Sequence, residues 1–313
     1  MESADPVLRS ELVLRRAALA EGWSDDELDR RLRRGEMARL RPGAYAPASA
    51  IRDPARRHRH LITATLAALR RPAVVSHQSA AVLLGLPMWG VPLGRVHVTR
   101  TPPASSEVGR HLRCHVARLA DDDVVTVGGV AVTSPVRTAL DLARALPFEA
   151  AVATLDAMLF HRKLGGEALV AGAQELGRLP GARSAARAVR FADGRSESVG
   201  ESRSRVLLHR LGLAPSALQL EIEVPGAAVP IGRADFAWED VRVVGEFDGR
   251  VKYGRLLKPG QAAGDVVFEE KRREDAIREE DWGAVRWTWE ELTPQVLGPR
   301  VQRALDRGRR RRG

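Results

Sequence analysis

Residues 233–253, RADFAWEDVRVVGEFDGRVKY, are the stretch that decides the fold. Two apolar-rich runs, ADFAW and VRVVGEF, flank Glu239 and Asp240, and such runs around a polar turn read as a β-hairpin. Asp235 falls in the first strand and Glu246 at the end of the second, followed by Asp248, Gly249 and Lys252. A hairpin brings Asp235 toward Glu246, although eleven positions separate them in the chain. Glu246 and Asp248, two positions apart, share one face of a strand. Carboxylates gathered at one end of a hairpin need partners, because an unpaired buried charge is costly or shifts its pKa. A divalent cation is such a partner, and hard oxygen ligands suit Mg²⁺ or Mn²⁺.

The flanks extend this pattern. Upstream, SVGESRSRVLLHRLGL reads as an amphipathic helix with Val206, Leu207 and Leu211 inward and Glu201 in its first turn. Downstream, FEEKRREDAIREEDWGAVRWTWEEL reads as a charged helix and then a strand over 284–289. Trp287 and Trp289 on that strand are expected in the core rather than as stacking platforms for bases. Helix, strand hairpin, helix, strand is the layout of the PD-(D/E)XK nuclease core. Residues 196–292, roughly a third of the chain, resemble the endonuclease-like domains related to very-short-patch-repair enzymes. The matching motifs are Glu201 in ESRSR, Asp235 in RADFAW, Glu246 and Asp248 in GEFDG, Lys252 beyond them, and the REDAIR…GAVRWTW ending.

The resemblance implies a metal-dependent DNA endonuclease or nicking enzyme. Asp235 and Glu246 would ligate Mg²⁺ or Mn²⁺, with Glu201 as a further ligand or as the holder of a metal-bound water, and Asp248 as an additional ligand. Lys252 would orient or deprotonate the attacking water. Arg272, Arg273 and Arg278 on the charged helix would grip phosphates, while Glu269, Glu270 and Glu274 pair part of that face. The sequence departs from the family at one point: it has Glu246-Phe247-Asp248 where the pattern has acid–x–lysine. Only four of the 50 basic residues are lysines, and three of these, Lys252, Lys258 and Lys271, follow the acids closely. An arginine stays protonated and cannot serve as a base, whereas a lysine can. The alternative is a nuclease-like fold that binds DNA without cutting it.

The chain has 313 residues, enough for two or three domains, and 44% of them are hydrophobic, enough for real cores. Its formal net charge of +10 favours a polyanionic partner, here double-stranded DNA, although arginine richness also follows from a GC-rich genome. The single cysteine, Cys114, rules out an internal disulfide or a cysteine-based zinc site and fits a reducing, cytoplasmic setting. No signal-like or membrane-spanning apolar stretch occurs.

At the N-terminal end, residues 7–20 read as a helix ended by Gly22. Ser24 and Glu27 form a capping-box pattern opening a second helix over 25–34, and EMARLRPGAYAP reads as two short strands around a turn. Arg30, Arg31, Arg33 and Arg34 crowd the C-terminal half of that helix, and Arg39 and Arg41 lie on the wing-like strands. These six are candidate DNA contacts, although arginines at a helix end also complement its dipole. The run ALAEGWSDDELDRRLRRGEMARLRPGAYA resembles the N-terminal winged helix-turn-helix of AbiEi-type antitoxins of type IV toxin–antitoxin systems. SHQSAAVLLGLP and VTSPVRTALDLA extend that likeness to about residue 160. It implies a non-catalytic DNA-binding regulator with a cognate toxin as partner.

The expected fold class is therefore α/β in the α+β sense. A winged helix-turn-helix occupies 1–50, a mixed antitoxin-like region 56–160 and a helical linker 161–195. A restriction-endonuclease-like mixed sheet flanked by helices occupies 196–297, and a basic tail 298–313. His77, His97, His111 and His115 show no ligand spacing, and the sequence assigns no metal to them. Thr138 and Asp141 sit in a helix beside Arg137 and read as helix-surface pairing. Gly128-Gly129 reads as a hairpin turn.

Overall fold

A computed structural model describes residues 11–86, 88–223, 230–249, 272 and 275–312. It is an α+β protein of two compact units, residues 1–191 and 192–313.

The first unit begins with β1 (Val13–Leu14), α1 (Arg15–Ala20), α2 (Asp25–Arg33), β2 (Met37–Arg41) and β3 (Ala44–Pro47), the strands forming a sheet in the order β1-β3-β2. The helix expected over 7–20 is thus shorter. Val13 and Leu14 pair with Tyr45 and Ala44 instead, because extended backbone there completes the sheet. Ser24 caps α2 through a bond from the Glu27 N–H at 3.2 Å, and β2 and β3 form the expected antiparallel wing. The Glu27 carboxylate, however, accepts from Arg30 and Arg31 at 2.6 and 2.7 Å.

α3 (Pro54–Leu66) packs beneath this wing and against α4 (His77–Leu83). A six-stranded mixed sheet follows, built from β4 (Val74–Val75), β5 (Val96–Arg100), β6 (Glu107–Val108), β7 (Leu112–Val116), β8 (Val124–Val127) and β9 (Val130–Thr133) in the order β6-β7-β5-β4-β9-β8. Leu40 and Ala46 of the wing share one core cluster with Leu61, Ile62, Val75 and Val98. Gly128 and Gly129, both at positive φ, make the β8–β9 turn, as a two-residue hairpin of this twist requires. Four helices complete the unit: α5 (Pro135–Ala145), α6 (Phe148–Phe160), α7 (Gly166–Glu175) and α8 (Ala182–Phe191). Most of the stretch expected as a linker is therefore packed helix, with Leu169, Ala185 and Ala188 buried against α5 and α6. The two units divide after Phe191.

The second unit has α9 (Val199–Arg210), β10 (Ala217–Ile222), β11 (Gly232–Trp238), β12 (Val243–Phe247), β13 (Gly283–Trp287) and α10 (Pro294–Arg312). Residues 275–279 are also helical. The sheet order is β10-β11-β12-β13, antiparallel except for the parallel β12–β13 pair. The hairpin read at 233–247 is β11–β12, with Phe236 opposite Gly245 and Trp238 opposite Val243. Strand alternation puts Phe236, Val243, Phe247, Val285 and Trp287 on one face, under Leu208 of α9 and Leu297, Val301 and Leu305 of α10. Val244, Ala284 and Ile277 lie on the other. The stretch expected as a basic tail, 298–313, supplies most of α10. Its Val301, Ala304, Leu305 and Gly308 are buried, while Arg312 donates to the Asp240 carbonyl at 2.7 Å.

Candidate functional site

Strand register assembles the expected acids into a row. β11 and β12 pair so that one further step places Asp235 opposite Glu246. The β10–β11 register on either side of Asp235 places Gln219 opposite it, and Glu246 pairs directly with Arg286 of β13. Gln219, Asp235, Glu246 and Arg286 thus run across all four strands of the sheet.

Each member has a specific environment. Asp235 accepts a bond from the Phe247 N–H at 2.8 Å. Glu246 meets the Arg286 guanidinium at 2.8 Å, on a half-buried site. Gln219, at φ 53°, interrupts the regular strand and donates from Nε2 to Glu201 Oε2 at 3.0 Å. Asp248 follows the strand, its N–H donating to the Trp287 carbonyl at 2.8 Å.

Glu201 arrives from the first turn of α9, held by local chemistry. Ser198 caps the helix, accepting from the Glu201 N–H at 3.2 Å. The Glu201 carboxylate in turn accepts from the Ser198 hydroxyl and the Glu197 N–H, each at 2.8 Å. This is a capping box whose acid is also buried, at 8% exposure. Burial, followed by the negative charge of Asp235, pushes the Glu201 carboxyl up to about 7, against the pull of its hydrogen bonds.

The structure brings Asp235 and Glu246 together as the hairpin requires and sets Glu201 at the Gln219 end of the row. Among the described residues, however, Glu201, Asp235, Glu246 and Asp248 do not converge into a set of three ligand atoms within 4.8 Å of one another. Lys252 and Arg273 lie outside the described residues. Arg272 is exposed, and Arg278 lies 3.7 Å from Asp275. Gln219 and Arg286 were missed because β10 carries no sequence signal strong enough to place it, and a lone arginine on a strand reads as surface. Trp287 is fully buried, its Nε1–H donating to Ser204 Oγ at 2.7 Å, whereas Trp289 lies beyond the strand and is 38% exposed.

In the first unit, Arg30 and Arg31 are tied to Glu27, and Arg31 also stacks on Trp23 at 4.1 Å. Arg34 is 3.8 Å from Glu36. Arg33 and Arg39 are exposed, with Arg39 over the Tyr45 ring at 5.6 Å, and Arg41 is half-buried. The structure also gathers His77, His97 and His115, which sequence spacing had left apart.

No protein-family model matches the chain. It is similar to two uncharacterized proteins of Mycobacterium tuberculosis, from strains CDC 1551 / Oshkosh and ATCC 25618 / H37Rv, with 33% identity over 197 residues in each case. The similarity covers 58% of this chain and 65% of each relative's length. A crystal structure of the RV2827C protein from the same organism aligns over 72% of this chain and 91% of its own, at 15% identity and a TM-score of 0.37. Among the described residues, no helix is long and apolar enough to cross a membrane.

Proposed function

We propose that the second unit is a divalent-metal-dependent DNA phosphodiesterase and that the winged N-terminal region binds the duplex. The observation that carries this reading is Glu201, a buried carboxyl held beside Asp235 at the end of the polar row, with its proton affinity raised by both. Like charges at such a spot are relieved by a cation, and Mg²⁺ or Mn²⁺ is the class that oxygen ligands select. Asp235, Glu246 and Glu201 would hold it. A cation there lowers the pKa of a bound water and offsets charge on a scissile phosphate. Arg33 and Arg39, exposed on the helix and wing, suit backbone phosphates.

One observation favours a second reading, a regulator of antitoxin type that binds DNA without cleaving it. The Arg286 guanidinium already neutralises Glu246 at 2.8 Å, where a cleaving enzyme would want metal.

Supercoiled-plasmid nicking separates the two. The enzyme reading expects cutting with Mg²⁺ or Mn²⁺, none with EDTA, and a loss of about 100-fold or more in Glu201→Gln and Asp235→Asn. If neither native protein nor variants cut matched and mismatched substrates while all shift duplex DNA equally, the regulator reading replaces it. In either case, Arg39→Ala is expected to lower the slope of log affinity against log salt by about one. An unchanged slope would remove Arg39 from the DNA interface.

A further inference from the structure

Three imidazoles from separate elements converge in the first unit. His97 sits on β5 and His115 on its parallel neighbour β7, and His77 opens α4 just after β4. Because Thr99 pairs with His115 and His97 lies two positions from Thr99, both histidines share one sheet face. Cys114, between them in register, turns instead into the apolar core. His77 adopts φ 52°, a left-handed conformation uncommon outside glycine, which carries its ring over this face. Its ring stacks on His115 with centroids 3.8 Å apart.

One nitrogen from each ring lies within 4.8 Å of the others. His97 Nδ1 and His115 Nε2 are 3.0 Å apart. Two nitrogens bound to a tetrahedral zinc at its usual bond length sit about 3.3 Å apart. That pair is therefore at ligand spacing, and a small ring rotation that opens the stack admits the third.

The surroundings fit a ligand set. His97 uses its other nitrogen, Nε2, against the Gln78 side-chain amide at 2.7 Å. With the amide oxygen turned toward it, Gln78 accepts the Nε2–H and leaves Nδ1 as the lone-pair donor. The Ser79 hydroxyl accepts from the His97 backbone N–H at 2.8 Å and fixes the strand beneath. His77 and His115 line a cavity of about 400 Å³ that also holds Asp141, Arg137 and Arg144. Asp141 is buried and pairs with Arg137 at 3.0 Å and with Arg144 at 3.4 Å. Asp123 adds a second carboxylate to Arg137 at 2.8 Å. The two guanidiniums are therefore offset and do not repel a cation with their full charge.

We propose that His77, His97 and His115 form a three-imidazole site for a borderline-soft divalent cation of the zinc class, with the fourth position open to the adjoining cavity. Three nitrogen ligands with one open position form a set that leaves room for a water or an exogenous ligand. This site is independent of the carboxylate row and differs from it in metal class.

The test uses the untagged full chain, stripped with chelator and titrated with Zn²⁺ by calorimetry and with Co²⁺ by visible absorption. One Zn²⁺ per chain and the intense absorption of four-coordinate Co²⁺ are expected, with Mg²⁺ failing to compete. His97→Ala and His115→Gln are each expected to weaken Zn²⁺ by more than about tenfold, and Gln78→Ala by about 10- to 100-fold through loss of ring orientation. Glu201→Gln is expected to bind Zn²⁺ as the native chain does. Failure of the native protein to bind Zn²⁺ overturns the proposal without recourse to any variant. So does unchanged affinity in a His97→Ala or His115→Gln protein that circular dichroism shows to be folded.

Discussion

His58 shows what burial does to a single titratable group. Its ring is fully buried on α3, with Nδ1–H donating to the Leu93 carbonyl and Nε2 accepting from Ser79 Oγ–H, each at 2.8 Å. Burial lowers its pKa from 6.5 to about 4. The unfolded chain then takes up a proton near pH 6.5 that the folded chain refuses until about pH 4, so stability is lost as pH falls through that window. At 1.36 kcal/mol per unit this is about 3 kcal/mol. Urea unfolding at pH 7 and pH 4.5 should show His58→Gln losing about 2–3 kcal/mol less between the two than the native chain does. An equal loss in both proteins would falsify the assignment. None of this was visible in the sequence, because the Leu93 and Ser79 partners come from distant segments.

At the scale of elements, α9 is seated on β12 through Gly200. A Cβ there would land within the Phe247 ring, and Phe247 is itself buried beside Trp287. Ser204, one turn on, receives the Trp287 indole and donates its own hydroxyl to the Gly200 carbonyl at 2.7 Å. Gly200→Ala is expected to cost about 1–3 kcal/mol in urea unfolding through overpacking. It should also weaken any activity that depends on Glu201, the next residue. A neutral stability change would mean that the helix does not approach the sheet this closely. The hairpin, the Ser24 cap and the Gly128-Gly129 turn were legible because their signals span only a few residues. Ser76 reads from the sequence as an N-cap, and it does occupy that position before α4 without a side-chain cap bond. Its hydroxyl is engaged by Thr99 at 2.8 Å and caps no backbone N–H.

For the whole molecule, the two units have separate apolar cores: clusters around Leu61 and Leu28 in one, and around Trp287 and Val244 in the other. Fragments 1–191 and 192–313 are each expected to show cooperative melting and native-like circular dichroism. Residues 1–50 alone are expected to lack it, because Leu40 and Ala46 complete their packing only against Leu61 and Val75. Cooperative melting of 1–50 by itself would show that the wing is an autonomous module. The sequence alone determined the α+β class, the β11–β12 hairpin and the placement of Glu201 in a helix's first turn. Periodicity, caps and turns are written over short windows, and each of these features is local. Only the tertiary structure decided that Gln219, Asp235, Glu246 and Arg286 form one row, that α7 and α8 pack against α5 and α6, and that His77, His97 and His115 meet. The pairing of β5 with β7 and of β12 with β13 joins segments far apart in the chain, and no short-range pattern records which strands will become neighbours.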